Sequence, residues 1–202
     1  MPEKTSVLFV CLGNICRSTM AEGIFRHLAQ KPEWKDKIGR VDSCGTGEAS
    51  SFPLHRFAAF RLWRRQWLFS LADDWVYPST AAAYHTGESP DDRTMATLEE
   101  NGITDYDHAA RRFATSDFDK FDYIFAMDRS NLSDLERLQR GNPDAKARVV
   151  LFGEYSGTGK AEVVSDPYYG GDAGFKRAFE QCSRFARNFL NDVVGGDEKS
   201  AL

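Results

Sequence analysis

The sequence predicts an α/β fold: a parallel sheet with helices on both faces. Two observations predict it. Short segments without helical spacing recur at 6–11, 40–44, 121–127 and 148–152, and most are strongly apolar. Between them lie segments whose apolar residues return every three or four positions. Strands covered on both faces read as near-continuous apolar runs, and their alternation with helices implies parallel pairing. In such sheets ligands sit outside the carboxyl ends of the strands.

The elements follow in order. Residues 6–11 form the first strand, with the apolar run Val7 to Val10 leading into Cys11. Residues 18–30 form the first helix, whose Met20, Ile24, Phe25 and Leu28 share one face. Pro32 and Trp34 belong to the link after it. Residues 40–44 form the second strand, stopped by Gly45-Thr46-Gly47. Ser89-Pro90-Asp91-Asp92 starts a helix: a proline near the first turn, and acids that match the helix dipole. It carries Met95 and Leu98 and ends at Asn101-Gly102. Residues 121–127 form a buried strand. Residues 131–140 form a helix with Leu132, Leu135 and Leu138 as its stripe, closed by Gly141-Asn142-Pro143. Residues 148–152 are the fourth strand. Residues 172–194 are a last long helix with Phe175, Phe179, Cys182, Phe185, Ala186 and Phe189 facing inward. Residues 1–196 thus read as a single domain interrupted at 48–82, and 197–202 as a polar tail.

A formal net charge of −4 gives no case for a nucleic-acid partner. No apolar run approaches the ~20 residues of a membrane span. The short apolar run near the N-terminus leads into Cys11 and is not read as a cleaved signal. The four cysteines, Cys11, Cys16, Cys44 and Cys182, do not resemble a secreted disulfide framework. With a reactive thiol among them, the expected compartment is the reducing cytoplasm.

Chemistry concentrates in Cys11-Leu12-Gly13-Asn14-Ile15-Cys16-Arg17-Ser18, a C-x5-R loop between a strand end and a helix start. Such a loop turns backbone N–H groups inward, and the helix end adds positive potential. A cysteine there is expected to be a thiolate near neutral pH. The planar fork of Arg17 suits two oxygens of a phosphate. Attack by Cys11 on phosphorus also needs an acid for the leaving oxygen and a base for water. The best candidate is Asp166, on the loop Ser165-Asp166-Pro167-Tyr168-Tyr169, where Pro167 stiffens the chain and Tyr168 and Tyr169 offer rings to an aromatic substrate. Cys44 and Cys182 read as core residues and His27 as a helix-surface residue. Gly157-Thr158-Gly159-Lys160 lacks the G-x-x-x-x-G-K-[ST] spacing and reads as a surface turn.

Taken together the motifs resemble the low-molecular-weight protein tyrosine phosphatases. The matching stretches are 7–18, Val41-Asp42-Ser43-Cys44-Gly45-Thr46, Tyr84-His85-Thr86-Gly87, and Pro90-Asp91-Asp92-Arg93. His108-Ala109-Ala110-Arg111, residues 121–128 and Asp166-Pro167-Tyr168 continue them. The resemblance implies a three-layer, four-stranded parallel sheet with flavodoxin-like winding. It also implies an acid phosphatase that needs no metal or other cofactor and acts on phosphotyrosine proteins or small aryl phosphates. It assigns Cys11 as nucleophile, Arg17 as phosphate clamp and Asp166 as general acid. Leu12, Gly13, Asn14, Ile15, Cys16 and Ser18 would line the phosphate loop, with Ser18 stabilising the thiolate. Tyr84, Tyr168 and Tyr169 would wall the cleft, while Asn14, Ser43, His108 and Asp128 would brace the loop. Cys16 would close a reversible disulfide with Cys11, or else simply pack. An arsenate reductase on the same fold would need a relay of further cysteines, and no cysteine lies between Cys44 and Cys182.

Residues 48–82 depart from the family. They hold Trp63, Trp67 and Trp75, four phenylalanines and Arg56, Arg61, Arg64 and Arg65, but no lysine. Joining Gly47 to Ala83 restores a continuous family turn. The segment reads in three ways: an intron translated in frame, which the permitted codons at Gly47-Glu48 and Thr80-Ala81 allow; a membrane-surface or partner-binding helix; or a lid over the cleft. It emerges beside Tyr84, so the 202-residue chain is expected to be less active than a form lacking 48–82. Deleting 48–82 is expected to raise kcat/KM on an aryl phosphate, and an unchanged kcat/KM refutes the obstruction.

Overall fold

The computed structural model describes residues 4–47, 85–168 and 171–195. The segment 48–82, Tyr84, Tyr169 and the tail 197–202 lie outside the described residues. Four strands, β1 (Thr5–Cys11), β2 (Ile38–Gly45), β3 (Tyr123–Ala126) and β4 (Arg148–Leu151), form one sheet in the order β2-β1-β3-β4. Every pairing is parallel, with Cys11 opposite Gly45 and Phe9 opposite Phe125. The predicted sheet is thus the observed one.

β1 is central, and this is why its sequence is uninterrupted in apolar character. Val7, Phe9 and Cys11 point to one face and Leu8 and Val10 to the other, as the two-residue strand period requires. The first face is covered by α1 (Arg17–Ala29), α2 (Asp92–Glu100) and α5 (Gly171–Phe189), around Phe9, Phe25, Phe125, Phe152 and Phe189. Phe125 meets Phe9 at 5.5 Å, Phe152 at 5.1 Å and Phe189 at 5.0 Å between ring centroids. Each such fully buried ring contributes roughly 2–3 kcal/mol relative to exposure. The other face packs Leu8, Val10, Phe118, Phe121 and Leu135 under α3 (Asp117–Lys120) and α4 (Arg129–Arg140).

The differences from expectation are local. α1 starts at Arg17, one residue earlier than the apolar spacing suggests. α3 is a single turn, too short to show a period. In α5 Ala178 takes the buried position and Phe179 is only half-buried, at the edge of the stripe. The helix then widens into a π-helical turn at Leu190–Val194, closed by Gly195 N–H donating to the Leu190 carbonyl at 2.8 Å. The wider turn keeps both Leu190 and Val194 in the core. Among the described residues no helix is long and apolar enough to cross a membrane.

Candidate active site

Cys11 ends β1 and is 3% exposed. The chain leaves it through Leu12–Cys16 and enters α1 at Arg17. Two features make that turn possible. Asn14 takes φ +59°, the one positive φ at a non-glycine among the described residues. Gly45, beside the loop on β2, admits the close approach, because a Cβ there would stand 2.6 Å from the Leu12 carbonyl oxygen. The first turn of α1 has neither an acidic residue nor a side-chain cap, so its positive end is left without an internal counter-charge.

Protons in the loop can be assigned one by one. The Arg111 backbone N–H donates to Asn14 Oδ1 at 2.9 Å, which fixes the orientation of the amide. His108 Nε2 lies 2.9 Å from the same oxygen, as a donor. Asn14 Nδ2 therefore donates both its protons, to Ser43 Oγ at 2.8 Å and to Ser18 Oγ at 3.0 Å. Ser43 passes its own proton to Glu22 Oε2 at 2.7 Å. Ser18, already an acceptor from Asn14, is left to donate to Cys11 Sγ at 3.1 Å. The Asn14 N–H donates to the same sulfur at 3.2 Å. Two donors thus face the sulfur.

Glu22 closes the far end of this chain. It is fully buried, accepts from Tyr106 Oη at 2.8 Å, faces His108 Nδ1 at 3.1 Å and ion-pairs with Arg26. Burial pushes its carboxyl above the ordinary range, while Ser43, Arg26 and Tyr106 pull it back. Glu22, Asp42 and His108 place one ligand-type atom each within 4.8 Å of one another. Those atoms are engaged by Ser43, Tyr106, Arg40, Arg111 and Asn14, with guanidinium groups beside both carboxylates. This donor set fits a hydrogen-bond hub and not a metal site.

Arg17 is 5% exposed. One terminal nitrogen pairs with Asp128, and the other stands 3.1 Å from Asp166 Oδ2. Burial opposes its charge, and Cys11, Asp166 and Asp128 more than offset that, so its pKa is raised. Asp128 is both brace and cap, since its Oδ1 also accepts from the Asn131 N–H at 2.8 Å at the start of α4. Asp166 sits on an exposed loop and its Oδ1 accepts from the Tyr168 N–H at 3.0 Å. The pairing with Arg17 brings it to the loop of Cys11, which sequence spacing alone does not show. Tyr168 and Leu12 stand exposed at 46% and 41%. Ile15 packs partly against the core. A side chain at Gly13 would meet the His85 ring at 3.0 Å.

Cys16 is buried. Burial first, then Asp91, Cys11 and Asp166, push its thiol up to about 12. The residues missed from sequence are Glu22, Tyr106, Asp91 and Arg93. Glu22 and Arg26 look like an ordinary i,i+4 surface pair; the one hint is that Glu22 lies one helical turn after Ser18, on the same face.

Comparison with known proteins finds similarity along nearly the whole chain. The profile of the family described as "Low molecular weight phosphotyrosine protein phosphatase" matches residues 6–70 and 74–199. The chain is 40% identical over 194 residues to the protein of that name from Schizosaccharomyces pombe, covering 96% of this chain and 100% of that one. It is 36% identical over 185 residues to the human protein of that name, covering 92% and 93%. A protein tyrosine phosphatase from Entamoeba histolytica superposes with a TM-score of 0.69 at 29% identity, over 98% of this chain and 100% of that one. A drosophila arginine phosphatase gives 0.69 at 30% identity over 93% and 97%.

At neutral pH, iodoacetamide is expected to alkylate Cys11 alone, and inorganic phosphate to slow the reaction. Burial raises Cys16 and Cys182 to about 12 and Cys44 well above its ordinary value, so all three remain protonated. Peptide mass spectrometry reads the site. Modification of Cys16 as fast as Cys11 contradicts the assignment.

Proposed function

The chain belongs to the low molecular weight phosphotyrosine protein phosphatases, a hydrolase family, and from that premise we propose that it cleaves protein phosphotyrosine and small aryl phosphates through a phosphocysteine at Cys11. The observation that carries this reading is the pair of donors on Cys11 Sγ with a buried guanidinium beside it, itself 3.1 Å from a carboxylate on a loop distant in sequence. Nucleophile, anion receptor and acid stand together.

The phosphate dianion enters the open loop and lies against the start of α1. Arg17 keeps Asp128 on one nitrogen and turns the rest of its fork from Asp166 to two phosphate oxygens. The Cys11 thiolate attacks phosphorus, and a sulfur–phosphorus bond forms as the phosphorus–oxygen bond to the aryl group breaks. Asp166 gives its proton to the departing oxygen. Water then attacks the phosphocysteine, Asp166 takes its proton, the sulfur–phosphorus bond breaks, and inorganic phosphate leaves. Ser18 and the Asn14 amide hold the thiolate as leaving group in this second step. Leu12, Ile15 and Tyr168 contribute apolar surface for an aryl ring. The loop is thus used as a phosphate-binding P-loop.

Arsenate reduction is disfavoured by the remaining thiols. Cys44 and Cys182 are wholly buried and held protonated, so neither is placed to relay electrons to solvent.

Turnover of a chromogenic aryl phosphate is expected to vanish in Cys11→Ser, which lacks the nucleophilic sulfur. Asp166→Asn is expected to lower kcat/KM on phenyl phosphate about 10²–10⁴-fold, the usual worth of a positioned acid. Full activity in either variant overturns the corresponding role.

A further inference from the structure

Asp166 has to stand over the leaving oxygen, yet its loop is exposed. Besides Arg17, which pairs with Asp166, α5 and α2 also touch that loop. Pro167 rests on α5 at Gly174, where a Cβ would come within 3.3 Å of it. On the other side Arg93, in the first turn of α2, donates from NH1 to the Tyr168 carbonyl at 3.2 Å. Its guanidinium also covers the Tyr168 ring at 5.3 Å and the Phe175 ring of α5 at 4.6 Å. Arg93 is itself held by Asp91, which accepts from Nε at 3.0 Å and from NH2 at 2.8 Å. Asp91 is the N-cap of α2, and its backbone N–H donates to the Ile15 carbonyl of the phosphate loop at 2.9 Å. A continuous path therefore runs from the loop of Cys11 through Asp91 and Arg93 to Tyr168, two residues beyond Asp166.

We propose that Arg93 is a positioning residue for the general acid: by clamping Tyr168 between its guanidinium and α5, it holds Asp166 in register with the phosphate loop. Arg93 touches no reacting atom in this scheme. Its planar fork is what the task needs, because one end must bind the Asp91 carboxylate side-on while the other reaches a carbonyl and its face covers two rings. A lysine has the charge without the fork. The proposal rests on Asp166 being the acid and deepens that assignment.

The test compares kcat/KM on two substrates, phenyl phosphate, whose leaving oxygen needs a proton, and p-nitrophenyl phosphate, which needs one far less. Arg93→Ala is expected to lose about 10- to 100-fold on phenyl phosphate, the scale of a misplacement of about 1 Å, and under about threefold on p-nitrophenyl phosphate. Arg93→Lys is expected to fall between wild type and Arg93→Ala with the same substrate bias. It serves as the reading variant if Arg93→Ala does not fold. In an Asp166→Asn background, loss of Arg93 is expected to cost less than about twofold more on phenyl phosphate, since a misplaced acid no longer matters. Equal losses on both substrates, or losses that multiply in the Asp166→Asn background, overturn the proposal. If Asp166→Asn alone leaves phenyl phosphate hydrolysis intact, the acid assignment falls and this proposal with it. If Asp166→Asn loses that activity and Arg93→Ala does not, Arg93 alone is wrongly assigned.

Discussion

The carboxamide of Asn14 gives one proton to Ser18 and one to Ser43, and takes two, from His108 and from the Arg111 backbone. The hydroxyls of Ser18 and Ser43 are oriented by that exchange. With Asn14 in place, Ser18 has one direction left for its proton, toward Cys11. With Asn14 replaced by an apolar residue, Ser18 is free to turn away, and the Arg111 amide loses its acceptor. Each buried polar group left unpaired costs about 1–3 kcal/mol. The same residue takes the left-handed backbone that folds the loop back over the sulfur. Asparagine is among the few side chains that tolerate this conformation and still hydrogen-bond from it.

The rest of the fold delivers partners to this amide. Ser43 and Gly45 come from β2, whose parallel register sets Gly45 opposite Cys11. Glu22 comes from the buried face of α1, where its charge is met by hydroxyl donors and Arg26. The central strand is covered on both sides, so Cys11 sits on a rigid element. Arg17 is treated in the same way. A buried guanidinium stripped of its partners would cost several kcal/mol, and Asp128 and Asp166 supply them.

Much of this is legible in the residues. The run Val7–Val10 announces a central strand, and Cys11 with Gly13, Asn14 and Arg17 announces a loop built for an anion. Asp166 is legible because a proline and two aromatic residues follow it. The positions that escape reading are charged residues whose partners are distant. Glu22 and Arg26 have the spacing of a solvated helix pair, and Asp91 and Arg93 look like helix-start chemistry. Only packing shows that the first pair ends a buried proton chain and that Arg93 lies across Tyr168 and Phe175. The turn of α3 and the π-helical end of α5 are shorter than any period that would disclose them.

Catalysis in this account is a double displacement: one loop holds both the attacking sulfur and the receptor for the phosphate it attacks, and one carboxyl serves both halves. The sulfur–phosphorus bond is the species on which everything else depends. Rapid acid quench during turnover of an aryl phosphate, followed by peptide mass spectrometry, reads it directly. The account predicts a phosphoryl group on the peptide containing Cys11, attached to sulfur and absent in Cys11→Ser. Steady turnover with no phosphorylated peptide, or with the phosphoryl group on an oxygen elsewhere in the chain, would contradict it.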